Sequence, residues 1–378
     1  MASGVQVPGR FGPRDGTRCL IVRPSALGDV ARTVPALVAL KAAFPQTTID
    51  WLVHPAYADA VRCHPALDAT IPFDRDGLSG FGYRWSATKA GFALIRQLRN
   101  NRYERVYDLQ GLARSALFTY FSGSPHRVGF ANAREGASWA YNHKHQVNEV
   151  HTVDEMMGLL RADGVPIPPD PDLRLYTPPE DLAWAQRYLD SRYIDPAEGY
   201  TCIAPTAKWR CKCWPLDGWA KVITRVIGDR HLGGKILVLA APHETEYLAP
   251  LRKALDDDVE VSKRVFFPET TTVGRLMGLI ARSQAVISND SAALHLAVGL
   301  LRPVVGIYGP TDPRTVGPYG RHMAAIQPKE AARPSFVFDY RKHRDDQSLI
   351  AQVPAAAVLE TLLRVSGTSP DLQASVAG

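Results

Sequence analysis

Residues 286–309 read VISNDSAALHLAVGLLRPVVGIYG, and this stretch decides the fold. A short apolar strand, Ala285–Ser288, ends in Asn289-Asp290-Ser291. A helix starts there and runs to about Leu300, and a second apolar strand, Pro303–Tyr308, follows at once. A strand, a helix and a strand in this order make a parallel α/β unit. The small residues Ser291, Ala292 and Ala293 let a ligand approach the first helical turn, whose backbone N–H groups lack intrahelical partners. Those groups and the helix dipole favour an anion. Asp290 reads as the N-cap, and His295 falls on the first or second turn. The segment fits a site for a nucleotide diphosphate, or an ordinary capped helix of an α/β sheet.

Working outward, the same alternation fills the chain. Strands are expected at Arg18–Arg23, Thr48–Val53, residues 69–74 and Arg105–Leu109, with helices after the first loop, at residues 55–63, at Ser86–Asn100 and at residues 112–121. The segment Asp163–Pro179 holds six prolines in seventeen residues and reads as an extended linker. Beyond it come helix 179–192, strand 200–205, helix 215–227, strand 235–242, helices 243–255 and 272–283, and the opening segment. A last amphipathic helix is expected at Pro354–Val365. The expected organisation is a lead-in over 1–17, domains over 18–170 and 171–350, and a C-terminal helix and tail over 351–378. Each domain is a doubly wound parallel sheet, and ligands of such sheets bind at the carboxyl ends of the strands, here in an interdomain cleft.

Composition narrows the classes. A chain of 378 residues suits two domains. Hydrophobic content of 46% and charged content of 22% are globular values, and the net charge of +6 is too mild for a nucleic-acid module. The first seventeen residues are polar and rich in Gly and Pro, without the apolar core of a signal peptide, and the last dozen, GTSPDLQASVAG, read as a disordered tail. No apolar run has the length of a transmembrane helix. The five cysteines form no paired zinc framework. A cytoplasmic protein with free thiols is expected.

Several residues suit chemistry. Asp29 follows Gly28 at the tip of the first strand, where its carboxylate is a general base or a helix cap. Arg23 and Ser25 share its loop. The stretch Ala204-Pro205-Thr206-Ala207-Lys208-Trp209-Arg210-Cys211-Lys212-Cys213-Trp214-Pro215 puts three cations and a threonine after the first strand of the second domain. It suits a polyphosphate, with Lys212 the favoured cation and Trp214 a core residue. Asp108, Gln110, Arg134 and Glu135 either orient a substrate or cap turns. The basic stretch Arg84–Arg105, with Phe81, Tyr83, Trp85 and Phe92, is a solvated face, a seat for a charged acceptor, or a face for anionic lipid. His126, His143, His145 and His151 lack companion carboxylates or cysteines, so no metal site is expected and exposed loop positions are.

The motifs IVRPSALGDVARTVPAL, DLQGLARSAL, NAREGASWAYN, PTAKWRCKCWP and SNDSAALHLAVGLLRPVVGIYGPTDPRTVGPYG, in this order, resemble glycosyltransferase family 9, the ADP-heptose:lipopolysaccharide heptosyltransferases. The resemblance spans roughly Arg18 to Gly320. It implies the GT-B fold of two facing Rossmann-like domains, an inverting transfer without a metal or other cofactor, a nucleotide-sugar donor and a glycan or lipid-linked acceptor. It further implies that Asp29 is the base and that Lys212, Thr206, Ala207, Asp290, Ser291, Ala292, Ala293 and His295 surround the donor phosphates, with Arg134 on the acceptor side. Ala292 stands where the family usually has glycine, and Pro242 where some members have an acidic residue near the donor ribose. A UDP- or GDP-sugar transferase of the same fold and a nucleotide-binding protein without turnover are the rival readings.

Overall fold

The computed structural model describes residues 13–229, 232, 234–333 and 336–367. The expected lead-in through residue 12 and the tail from residue 368 lie outside the described residues. Residues 13–17, also assigned to the lead-in, are ordered: Arg14 pairs with Glu104 at 2.6 Å and the Thr17 carbonyl accepts from the Thr48 N–H. The chain forms two compact units, one ending at Leu173 and the other beginning at Arg174.

The first unit contains β1 (Arg18–Val22), α1 (Leu27–Ala43), β2 (Thr48–Val53), β3 (Ala69–Pro72) and α2 (Trp85–Asn100). It continues with β4 (Arg105–Asp108), α3 (Ala113–Phe121), β5 (His126–Phe130), β6 (His143–His145) and α4 (Thr152–Ala162). All strand pairs are parallel, in the order β3-β2-β1-β4-β5-β6. Parallel strands covered on both faces need continuous apolar runs, and Cys19–Val22 and Ile49–Val53, apart from Asp50, supply them fully buried. Residues 55–60 form a 3-10 turn rather than the expected α-helix.

The second unit contains α5 (Pro179–Ser191), β7 (Thr201–Ala204), α6 (Leu216–Ile227), β8 (Ile236–Val238), α7 (Thr245–Asp256), α8 (Val259–Ser262) and β9 (Val265–Phe266). There follow α9 (Val273–Ala281), β10 (Ala285–Asn289), α10 (Ala292–Gly299), β11 (Val304–Ile307) and α11 (Pro313–Val316). β12 (Ala325–Ile326), α12 (Tyr340–His343) and α13 (Ala355–Val365) end it. The parallel sheet has the order β12-β11-β10-β7-β8-β9. Numbered within each unit, both sheets run 3-2-1-4-5-6, so the order reverses between β1 and β4 and between β7 and β10. Ligands of open α/β sheets bind at such a reversal. The C-terminal helix α13 buries Val358 and Leu362 against the second unit's core, so it belongs to that unit.

The linker reading needs one correction. Asp163 is wholly buried and takes a hydrogen bond from Arg105 at 2.6 Å and one from the Tyr107 hydroxyl at 2.8 Å. The histidines are also not in exposed loops. His126 Nδ1 lies 3.0 Å from His143 Nε2 on neighbouring strands, and His145 Nε2 is 3.4 Å from Asp163. His151 is buried and caps α4 by accepting from the Val153 N–H at 3.1 Å. Among the described residues no group of His, Cys, Asp or Glu is placed to hold a metal, and no helix is long and apolar enough to cross a membrane.

Removing one partner of a buried ion pair leaves the other charge uncompensated, so Asp163→Ala is expected to cost about 3–5 kcal/mol in denaturant unfolding. Burial, then the Arg105 charge, holds His126 and His143 below the ordinary value of 6.5. Their neutral forms therefore favour the fold above pH 6.5, and that contribution is lost as pH falls below it through the folded-state values. Melting temperatures measured from pH 7.5 to 5 should fall more steeply for the wild type than for His126→Phe.

Candidate active site

In the first unit the site centres on the turn from β1 into α1. Asp29 is the third helical residue, and its Oδ2 accepts from the Ala26 N–H at 3.2 Å, so it does cap its helix. It also stands between two guanidinium groups: Arg23 Nη2 at 3.3 Å and Arg32 Nη2, one helical turn on. Burial raises the Asp29 pKa, but Arg23 and Arg32 outweigh it and hold the carboxyl at about 2. The side chain stays about a quarter exposed, at 26%. Asp29 is therefore an ionised, partly accessible carboxylate of low basicity.

Arg23 is largely buried, and its guanidinium bonds Asp29 and the Leu109 carbonyl, so it holds the carboxylate and the β4 loop. Asp108 is placed in the same way. It is fully buried, and its carboxylate accepts from the N–H groups of Gln110 and Gly111 at 3.0 Å each and from Tyr141 at 2.8 Å. It shapes the loop that presents Gln110, whose Oε1 accepts from the Ser25 N–H at 3.4 Å.

Ser25 and Gln110 line a cleft of about 230 Å³ at the carboxyl edge of this sheet. Arg75, Arg114, Ser115 and Glu135 complete its polar wall; Glu135 was among the loop residues expected to orient a substrate or cap turns, and sequence reasoning missed the other three. Arg114 and Ser115 lie inside the quoted DLQGLARSAL, so proximity to that motif was the available signal. Glu135 has φ +54°, a conformation costly for a residue with a Cβ, and accepts from the Ala113 N–H at 3.1 Å at the start of α3. Arg134 is exposed on the same turn, anchored by its N–H to the Gly111 carbonyl at 3.1 Å.

In the second unit the site spans the tips of β7 and β10. These strands are paired, with Ala204 beside Ser288. Lys212 Nζ reaches Asp290 Oδ2 at 2.6 Å. Burial raises the Asp290 pKa, but Lys212, then His295, outweigh it and leave it below the ordinary value. Asp290 is thus not the helix cap. That position is Ser291, which makes no side-chain cap bond and lies 2.9 Å from the Ser288 hydroxyl. The first N–H groups of α10 at Ala292 and Ala293 therefore have no side-chain cap from Ser291, and a lysine stands nearby on the other side of Asp290. Ala293 and His295 are buried.

The other two cations of the loop are spent on rings, Lys208 over Trp209 and Arg210 over Tyr247 at 3.6 Å from its centroid. Trp214 is buried and bonds Val353. Thr206 donates to Glu244 Oε2 at 2.8 Å, and Ala207 is half-buried beside it. Glu244 ends a 3-10 turn that Pro242 opens, so the acidic group stands two residues beyond Pro242. Sequence reasoning missed Glu244, and also Asn289. Buried Asn289 donates to the Pro205 carbonyl at 2.6 Å and accepts from the Trp214 N–H at 3.1 Å, fixing both ends of the Thr206–Lys212 loop. Its place immediately before Asp290 was the signal.

The two sheets, with a carboxylate turn at one reversal point and a cationic loop facing an open helix start at the other, define a transferase of the GT-B class. The sequence model of glycosyltransferase family 9 (heptosyltransferase) matches residues 91–343. Lipopolysaccharide heptosyltransferase 1 of Salmonella typhimurium is 32% identical over 83% of this chain and 95% of its own. Among solved structures, the E. coli heptosyltransferase WaaC with ADP-2-deoxy-2-fluoro heptose superimposes with a TM-score of 0.70 at 25% identity, covering 92% of this chain and 99% of that one. A glycosyl transferase family 9 structure from Veillonella parvula shares the fold, with a TM-score of 0.78 at 19% identity over 95% of this chain and 100% of the other. The chain belongs to glycosyltransferase family 9 and is a glycosyltransferase.

Two outcomes are expected. In Arg32→Ala the Asp29 carboxyl, followed by carbon NMR, should titrate well above the wild-type value of about 2, because one of its two cations is gone. Asn289→Ala removes two buried hydrogen bonds and should lower unfolding stability by about 1–3 kcal/mol, read in a urea titration.

Proposed function

We propose that this glycosyltransferase moves a heptose from ADP-heptose to an acceptor of the lipopolysaccharide inner core. The observation that carries the donor half is the Lys212–Asp290 pair at 2.6 Å beside the open first turn of α10. The heptosyltransferase relatives, one of them solved with an ADP-heptose analogue, support the choice of sugar and nucleotide.

The reaction is a single displacement with inversion. An acceptor hydroxyl oxygen attacks the anomeric carbon as the bond from that carbon to the diphosphate oxygen breaks. Asp29 takes the hydroxyl proton, and ADP leaves. Because Arg23 and Arg32 depress its basicity, Asp29 accepts that proton as the new C–O bond forms rather than before it. Lys212 moves from Asp290 to the diphosphate and, with the N–H groups at Ser291–Ala293, neutralises the charge that develops there. Thr206 and Ala207 border the phosphates, and His295 helps to keep Asp290 ionised. This charge supply makes the transfer independent of a divalent metal, and EDTA should leave the rate unchanged.

We assign the enzyme to the cytoplasmic face of the inner membrane. The outer stripe of α2 supports this placement. Trp85, Lys89, Phe92 and Arg96 recur at helical spacing on one face, with Trp85 83% and Phe92 61% exposed and Tyr83, just before the helix, 96% exposed. Aromatic side chains beside lysine and arginine suit the boundary of an anionic bilayer.

Asp29→Ala should slow transfer by about 100-fold or more while ADP affinity stays near wild type. Near-normal turnover of that variant would overturn the assignment of the base. Vesicles with phosphatidylglycerol should sediment the protein and neutral vesicles should not. Trp85→Ser/Phe92→Ser should stay in the supernatant with both, and equal sedimentation of the wild type by the two vesicles would remove the membrane assignment.

A further inference from the structure

The backbone around Lys212 is held by a segment that no recognised motif includes. Immediately after α12 the chain returns to the cationic loop of the second unit. The Cys211 N–H donates to the Arg344 carbonyl at 2.9 Å, and the Cys213 carbonyl accepts from Gln347 Nε2 at 2.7 Å. The residue on each side of Lys212 is therefore bonded to the same short stretch. Both are shielded from water, with Cys211 0% and Cys213 2% exposed. A carbonyl buried in this way needs a donor, and Gln347 supplies it from 134 residues further along the chain. The exit of β11 closes in on the same point. A Cβ on Gly309 would lie 2.8 Å from the Cys211 carbonyl oxygen and 2.9 Å from Ile350 Cβ.

Gln347 is itself seated. Its carbonyl accepts from the Ala351 N–H at 2.9 Å, and its Nε2 also donates to the Tyr247 hydroxyl at 3.4 Å. The Tyr247 ring carries the Arg210 guanidinium 3.6 Å from its centroid. One side-chain amide thus meets the Lys212 loop twice, directly at Cys213 and through Tyr247 at Arg210.

In the mechanism above, Lys212 must leave Asp290 for the diphosphate. Asn289 fixes the loop at Pro205 and Trp214, and the bonds to Arg344 and Gln347 fix it next to the lysine. A charged group that swings from a fixed backbone is delivered to one place, and a supporting shell that loosens forfeits that precision.

We propose that Gln347 is a positioning residue for Lys212. Together with the Arg344 carbonyl it holds the backbone on both sides of the lysine, so that the side chain alone moves between Asp290 and the diphosphate. The inference rests on the donor half of the reading above. Arg344 and Gln347 lie beyond residue 343, the last that the family model matches, so this brace stands outside the family pattern.

The test is a double-mutant cycle read by calorimetric titration of the full-length protein with ADP in EDTA, using wild type, Gln347→Met, Lys212→Ala and the double variant. Methionine keeps the length of the side chain and removes the donor. Gln347→Leu is carried through the same cycle with the same expectation, and melting curves identify the folded variant to be read. The expected result is a loss of ADP affinity of about fivefold in Gln347→Met, the effect of one buried hydrogen bond. In the double variant the affinity should be no lower than in Lys212→Ala alone, because a residue that acts through the lysine has nothing left to position. A loss that a general loosening of the second unit produces would instead multiply with that of Lys212→Ala, and this outcome overturns the proposal. Unchanged ADP affinity in Gln347→Met, with a loss in Lys212→Ala, overturns the proposal and leaves the donor reading standing. ADP binding that is absent, or indifferent to Lys212→Ala, overturns the donor reading and this inference together.

Discussion

The contact on which the second unit's proposed donor site depends is the ion pair between Lys212 and Asp290. A carboxylate at the end of a buried strand needs a cation, and on the proposed reading the lysine is held there until phosphate arrives. Their 2.6 Å contact meets both needs by joining the tips of two adjacent strands, β7 and β10. Asn289 makes the junction rigid by bonding the loop before and after the lysine. Parallel pairing is what makes this possible, since it brings the exits of both strands to one edge. The reversal of strand order then opens a crevice there, between crossovers that leave in opposite directions.

The first unit uses the same geometry with opposite chemistry. At its reversal point the fixed charge is a carboxylate, and the protein surrounds it with Arg23 and Arg32. This clamp favours the ionised form of Asp29, and it lowers the affinity of the carboxylate for the proton that the proposed mechanism hands to it. In the proposed mechanism a base so held contributes only when the attacking oxygen is already losing its proton. On that proposal the carboxylate is matched to a reaction driven by departure of a well-stabilised diphosphate.

Much of this was legible in the sequence because it rests on local pattern. Continuous apolar runs marked β1, β2, β7, β10 and β11, and the segment after each unit's first strand carries the residue to which the proposal gives a role, Asp29 and Lys212. What escaped notice depends on contacts between distant segments. Asp290 reads as a helix cap until Lys212, seventy-eight residues earlier, draws its carboxylate away and leaves Ser291 at the cap. Asp108 and Arg23 have the right composition for substrate contacts, yet Tyr141 and Asp29 occupy them. The histidines read as loop residues because β5 and β6 are short and polar, and only the buried Asp163 and Arg105 explain their place. Glu244 and Asn289 have no motif of their own, and their significance appears only when Thr206 and Pro205 are seen beside them.

The most direct test of the account is calorimetric titration of the wild type and Lys212→Ala with ADP, UDP and GDP in the presence of EDTA. The account predicts that ADP binds the wild type more tightly than UDP or GDP without any divalent ion, and that Lys212→Ala loses about tenfold or more of that affinity. Tighter binding of UDP or GDP, or ADP binding indifferent to Lys212, would contradict it.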